Sequence, residues 1–162
     1  MQIVEYEDKY LNDIKNLLTE LEEYIVSIDN DKLDIVHKEY YDKKAIIDLN
    51  EVKNNSGKCF LAIENNAVIG LIMGIITKYS ANDYLDYKCP KRGEIIELIV
   101  SQKVRSKGIG QALTKRMEDY FKSVKCEYVL VDVFAYNDNA MKFYYKQGFH
   151  PRMTTCIKKI KD

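Results

Sequence analysis

The chain has 162 residues, 46% of them hydrophobic, and its 25 basic and 25 acidic side chains cancel at neutral pH. That length suits one domain, 1–162, around one continuous core. The zero net charge excludes the broad basic surface of a nucleic-acid binder. No run approaches the ~18 apolar residues of a membrane span, and the N-terminus MQIVEYEDKY lacks the basic-then-apolar order of a signal peptide, so the expected location is cytoplasmic, with no membrane partner.

Gln2 to Tyr6 alternates as a short strand does. Leu11, Ile14, Leu17, Leu18, Leu21, Ile25 and Ile28 then recur at three- and four-residue steps, which predicts a long amphipathic helix. Asp34 to Lys53 is compatible with a second helix, although its apolar residues fit no single stripe. Cys59 to Ile63 and Val68 to Ile76 flank Glu64-Asn65-Asn66-Ala67, where two asparagines accept the positive φ of a tight turn, and so read as a hairpin. Tyr79 to Arg92, polar and aromatic with Pro90, reads as an exposed connection. Glu94 to Val100 suits a buried strand, Gly108 opens a helix running to Val124, and Tyr128 to Phe134 suits a parallel strand. Asn137 to Gln147 fits a short helix with Gly148 past its end, and Met153 to Ile160 is expected to close the chain as a strand. The strand-helix-strand unit in the middle must cross over right-handed, which makes its two strands parallel.

Cys59, Cys89, Cys126 and Cys156 form no CxxC pair and His37 and His150 are the two histidines, so neither a structural zinc site nor a disulfide framework is expected. The charge is uneven: the first 55 residues hold 14 acidic and 7 basic side chains, and the remainder is correspondingly basic. Besides being ordinary solvated helix faces, these halves suit a polyanionic cofactor on the basic side and a cationic acceptor on the acidic one.

Two segments carry chemistry. Val100 to Leu113 (V-S-Q-K-V-R-S-K-G-I-G-Q-A-L) joins a strand to a helix through glycines that leave N–H groups open at the positive end of a helix, a setting suited to phosphate oxygens as well as to a simple tight turn. It is neither a Walker A loop nor a three-glycine dinucleotide loop. Asn137 to Phe149 (N-D-N-A-M-K-F-Y-Y-K-Q-G-F) is, taken alone, an amphipathic helix with core aromatics and a glycine stop.

Together, V-x4-R-x2-G-x-G-x2-L and, about thirty residues on, N-x2-A-x2-F-Y-x3-G-F resemble the two signature segments of the GNAT superfamily of acyl-CoA N-acyltransferases, and the element order of nearly the whole chain is similar to its fold. The resemblance implies an α/β (α+β) fold: a mixed, mostly antiparallel sheet with a central splayed parallel strand pair and helices on both faces. It implies acetyl-CoA as donor, with Leu98, Ile99 and Val100 binding the pantetheine arm along an edge opened by a bulge. Arg105, Ser106, Lys107, Gly108, Ile109, Gly110 and Gln111 would wrap the pyrophosphate. Asn137 matches a position that contacts pantetheine, and Tyr144 the tyrosine placed near the thioester sulfur.

Acetyl transfer to an amine needs a proton acceptor, a donor to the developing oxyanion and an acid for the leaving thiolate. A Leu98 or Ile99 N–H suits the oxyanion, and Tyr144 the thiolate ahead of Tyr145. Glu94 and Glu97 are both available as base. Three residues apart, they would lie on opposite faces of a regular strand, and Glu97 is preferred because it adjoins the pantetheine-binding residues and interrupts an apolar run. The expected reaction is direct transfer from acetyl-CoA to a primary amine, small-molecule or peptide. The alternative is a non-catalytic acyl-CoA-binding or sensing domain of the same fold. Dimers are common in the family, which leaves a homodimer open.

Overall fold

The computed structural model describes residues 1–105 and 107–160. They fall into two compact units, Met1–Asp132 and the residues from Val133 onward. In the first unit β1 (Gln2–Glu5), β2 (Lys58–Glu64), β3 (Ala67–Thr77), β4 (Arg92–Val100) and β5 (Tyr128–Val131) form one sheet in the order β1-β2-β3-β4-β5. The first three pairings are antiparallel and β4–β5 is parallel. The hairpin between β2 and β3 turns through Asn65 and Asn66 at φ 51° and 61°, the mirror-image turn whose twist matches that of the flanking strands.

One face of the sheet is covered by α1 (Leu11–Ile28) and α2 (Tyr40–Asn54). Ile14, Leu17 and Leu18 of α1 and Ala45 and Val52 of α2 close a core with Leu61, Leu71, Met73, Ile75 and Ile99 from the strands. The helix expected from Asp34 begins only at Tyr40. The Asp29 carboxylate accepts the backbone N–H groups of Asp31, Leu33 and Asp34, and this side-chain capping competes with helical bonding. Between β3 and β4 the expected connection holds one short helical turn, α3 (Asp83–Asp86).

The other face carries α4 (Ile109–Ser123), whose Leu113, Met117 and Phe121 are fully buried. Phe121 lies flat against β4: a Cβ on Gly93 would come within 2.6 Å of its ring carbons. The parallel strand is shorter than expected and ends at Val131 rather than Phe134, as the last strand of the described sheet.

The second unit consists of α5 (Asp138–Lys146) and the chain after it. Asn137 caps the helix by accepting the Ala140 N–H at 3.1 Å, and Gly148, at φ 89°, takes the left-handed conformation that ends it. The strand expected over Met153–Ile160 is not formed, and those residues are exposed. Their strand-like alternation has no ladder partner among the described residues, and β-pattern without a ladder does not make a strand.

Candidate active site

The ladder between β3 and β4 is regular from Gly70↔Val100 to Met73↔Glu97, but the next pair is Gly74↔Ile95. Ile96 is the extra residue of a bulge, the kind of irregularity that re-aims side chains along one strand. Residues directly opposite in an antiparallel ladder share a face. Met73 and Ile75 both belong to the core beneath α1 and α2, and their partners are Glu97 and Glu94. The two glutamates therefore share a face. The expectation that they diverge is corrected by the bulge, which inserts one residue between them and restores the phase.

Beyond this point β4 loses its parallel neighbour. The ladder with β5 stops at Ile95↔Val131, while β4 continues to Val100. Ile96 to Val100 thus have a β4 edge with no ladder partner among the described strands. Leu98, Ile99 and Val100 all lie on it, and Ile99 keeps its side chain in the core.

Glu97 is not a solvated strand-end carboxylate. Its side chain is 12% exposed and accepts a hydrogen bond from the Lys44 ammonium of α2 at 2.9 Å. Burial pushes its carboxyl above the usual range, Lys44 opposes this, and Asp48 and Glu22 add to the rise. Lys44 is shared with the buried Asp48, one turn along α2, at 2.7 Å. The second carboxylate oxygen of Asp48 is buried without a hydrogen-bond partner among the described residues. Burial and the nearby Glu22 and Glu97 carboxylates push the ionisation of Tyr40 well up. Glu94 is half-buried, and its carboxyl is raised by burial and Asp132 against the pull of Arg92.

Sequence reading missed Lys44, Asp48 and Tyr40, and took Glu22 only as part of the acidic first 55 residues. One signal was available. Lys44 and Asp48 stand four apart in the helix whose apolar residues fit no stripe, and the structure shows why: α2 buries Asp48 between Ala45 and Val52 and leaves Ile46 and Ile47 exposed.

Helix α1 also fixes the end of β4. The Glu20 carboxylate accepts the Gln102 backbone N–H at 2.6 Å and the Ser101 hydroxyl at 3.3 Å. Arg105 folds back, donating to the Val100 carbonyl at 3.2 Å with its guanidinium 5.5 Å from the Tyr24 ring. Ser106 lies outside the described residues. Lys107 and Gln111 are exposed. Gly108 takes φ 77° as the residue before α4, no described side chain caps that helix, and a Cβ on Gly108 would meet nothing within 4 Å. The Ile109, Gly110 and Gln111 N–H groups of the first turn thus precede any intrahelical acceptor, which fits an anion such as a pyrophosphate.

In the second unit Tyr144 is buried, its ring edge-on to Phe143 and Phe149 at 5.2 and 5.3 Å. Tyr145 is 48% exposed. Asn137 uses its side-chain oxygen for the helix cap. His37 accepts the Glu39 N–H within its loop, and burial pushes the Cys59 thiol up to about 12, as suits an inert core cysteine. Among the described residues no group of three or more His, Cys, Asp or Glu side chains is arranged for a metal ion, and no helix is long and apolar enough to cross a membrane.

Residues 13–149 match the Acetyltransferase (GNAT) family. An uncharacterised N-acetyltransferase of Methanocaldococcus jannaschii is 33% identical over 96 residues, 58% of this chain and 54% of that protein; the chain spans about half the length of this curated relative. The fold is similar to that of the BH1408 protein of Bacillus halodurans, solved as a tetramutant, with a TM-score of 0.85 at 17% identity over 99% of this chain and 100% of that one. It is also similar to aminoglycoside N-acetyltransferase AAC(6')-Iy, solved in complex with CoA, with a TM-score of 0.70 at 12% identity over 99% and 100% of the two chains.

Proposed function

Since the chain belongs to the GNAT acetyltransferase family, we propose that it is a single-domain enzyme that moves an acetyl group from acetyl-CoA directly to a primary amine, small-molecule or peptide. The observation that carries this reading is the bulge at Ile96, which turns Glu97 inward beside a β4 edge that β5 has left open.

The donor substrate supplies an activated thioester, and the chain's residues do the rest. The first-turn N–H groups of α4, from Ile109 to Gln111, with Gly108 giving the backbone room, hold the pyrophosphate, and Arg105 and Lys107 stand just before them in the chain. The open edge at Leu98, Ile99 and Val100 takes the pantetheine amides as an added strand would be taken. The cap on α5 uses the Asn137 oxygen, which leaves the amide nitrogen as the donor to pantetheine. Glu97 accepts the proton of the incoming ammonium, a role for which a buried carboxyl raised toward neutrality is suited. Glu94, on the same face, is the second candidate. A Leu98 or Ile99 N–H donates to the acetyl oxygen as charge builds there, and the Tyr144 hydroxyl protonates the departing thiolate.

The test combines calorimetry with a free-thiol assay. Acetyl-CoA is expected to bind and raise the melting temperature, a panel of amines to release thiol, and Gly110→Val to abolish binding while the protein stays folded. Binding without thiol release for any amine would favour a non-catalytic acyl-CoA-binding domain. Absence of both heat and thermal shift would refute the coenzyme reading altogether.

A further inference from the structure

Glu97 is met by charged or titratable groups from each element packed on its side of the sheet. Helix α1 contributes Glu22, α2 contributes Tyr40, Lys44 and Asp48, and β4 itself places Glu94 on the same face. The β3 residue opposite is Met73, which does not titrate. Lys44 is the one cation in this set, and its ammonium is divided between Glu97 at 2.9 Å and Asp48 at 2.7 Å.

We propose that Lys44 is a positioning residue for the Glu97 carboxylate, holding it against α2, and that Asp48 competes for the same ammonium and so sets how strongly Glu97 is held. This rests on the reading of Glu97 as the proton acceptor in acetyl transfer. The division follows from geometry. Asp48 is buried at 3% exposure, and among the described residues its first oxygen is bonded to Lys44 alone and its second has no hydrogen-bond partner, so Lys44 is the cation it draws on. Two inward carboxylates and one ammonium leave an excess negative charge beside the open β4 edge. An ammonium serving Glu97 alone would keep that carboxylate ionised and weakly basic. Shared with Asp48, it orients Glu97 while leaving it basic enough to take a proton from an amine.

The two partners act on Glu97 in opposite directions. Removing the Lys44 charge leaves buried carboxylates facing one another, so Glu97 holds its proton to higher pH. Neutralising Asp48 removes a repulsion and frees Lys44 for Glu97, which then ionises at lower pH. A role confined to fold stability gives no such opposite pair.

The experiment is a carbon-13 NMR titration of the Glu97 side-chain carboxyl, assigned by its loss in Glu97→Gln, in the wild type, Lys44→Met, Lys44→Arg and Asp48→Asn. It is run alongside the pH profile of kcat/KM with acetyl-CoA and the best amine of the panel. Lys44→Met is expected to raise the Glu97 midpoint and the acid-side limb of the profile together, by about one pH unit or more. Asp48→Asn is expected to lower both, and Lys44→Arg to restore the wild-type values. Shifts of the same sign in Lys44→Met and Asp48→Asn, no shift in either, or a moved carboxyl midpoint with an unmoved rate limb would each overturn the proposal. Should Lys44→Met fail to fold by circular dichroism, Lys44→Gln takes its place and Asp48→Asn still has to move the midpoint downward. A wild type that bound no acetyl-CoA would refute the transferase reading, whereas the NMR midpoints report on Lys44 and Asp48 whether or not the coenzyme binds.

Discussion

Carboxylates are buried here in two opposite ways. Asp29 collects backbone N–H groups, with Asp34 foremost, and these hold its carboxyl below the usual range. Glu97 and Asp48 are pushed up, because burial outweighs the one ammonium they share. The lowered group contributes stability that is present above its unfolded value, about 4, and is lost as pH falls through the lower folded value. Asp29→Ala should therefore melt below the wild type at neutral pH, and the gap between the two should close as the melts are repeated at progressively acidic pH. A constant gap would mean that loop packing, not the charge-assisted bonds, accounts for the loss. Tyr144 makes a separate residue-level case. Its ring is packed between Phe143 and Phe149, so Tyr144→Phe keeps the packing and removes only the hydroxyl. Turnover should fall by about a hundredfold, with coenzyme affinity nearly unchanged in a parallel titration. An equal rate would return Tyr144 to the role of a core aromatic.

The elements whose periodicity spans many residues were legible from sequence. The stripe Ile14, Leu17, Leu18 gave α1, the Asn65-Asn66 pair gave the hairpin, and Leu113, Met117, Phe121 gave the buried side of α4. The bulge was expected only through the family resemblance and its place at Ile96 was not legible, because Ile95, Ile96, Leu98 and Ile99 form an apolar run that reads alike with or without an extra residue. The faces of Glu94 and Glu97 were misassigned for the same reason. The strand expected at Met153–Ile160 failed differently: alternation reports a preference, and pairing depends on a partner that the local pattern does not name. Contact between elements also makes a prediction. Gly93 of β4 has no room for a methyl group under Phe121, so Gly93→Ala should cost about 1–3 kcal/mol by overpacking. Urea denaturation can measure it. Adding Phe121→Leu should recover part of that loss relative to Phe121→Leu alone, and strict additivity of the two changes would show that the clash is relieved elsewhere.

At the scale of the whole molecule the question is what the acidic first third does, since β1, α1 and α2 lie within it. Much of its charge is committed. Glu20 holds the turn after β4, Asp29 caps its own loop, and Asp48 is locked to Lys44. Glu22 differs, because with Tyr40 it stands beside Glu97, and burial raises its carboxyl rather than leaving it a surface charge. Beside Glu97 the negative field that an acceptor would meet therefore comes from Glu22, Glu97 and Asp48, offset by Lys44. Partly buried charges are screened less than exposed ones, whose reach ends within about 8–10 Å at physiological salt. A small polyamine or a lysine-rich peptide should therefore have a higher kcat/KM than an acidic amino acid, by about tenfold or more at low ionic strength, and should keep part of that preference when salt is raised. Glu22→Gln should reduce the preference, and Asp29→Asn should leave it intact in protein that is still folded. If the acidic amino acid is the better acceptor, or if Glu22→Gln and Asp29→Asn change selectivity equally, the carboxylates around Glu97 have no part in choosing the amine.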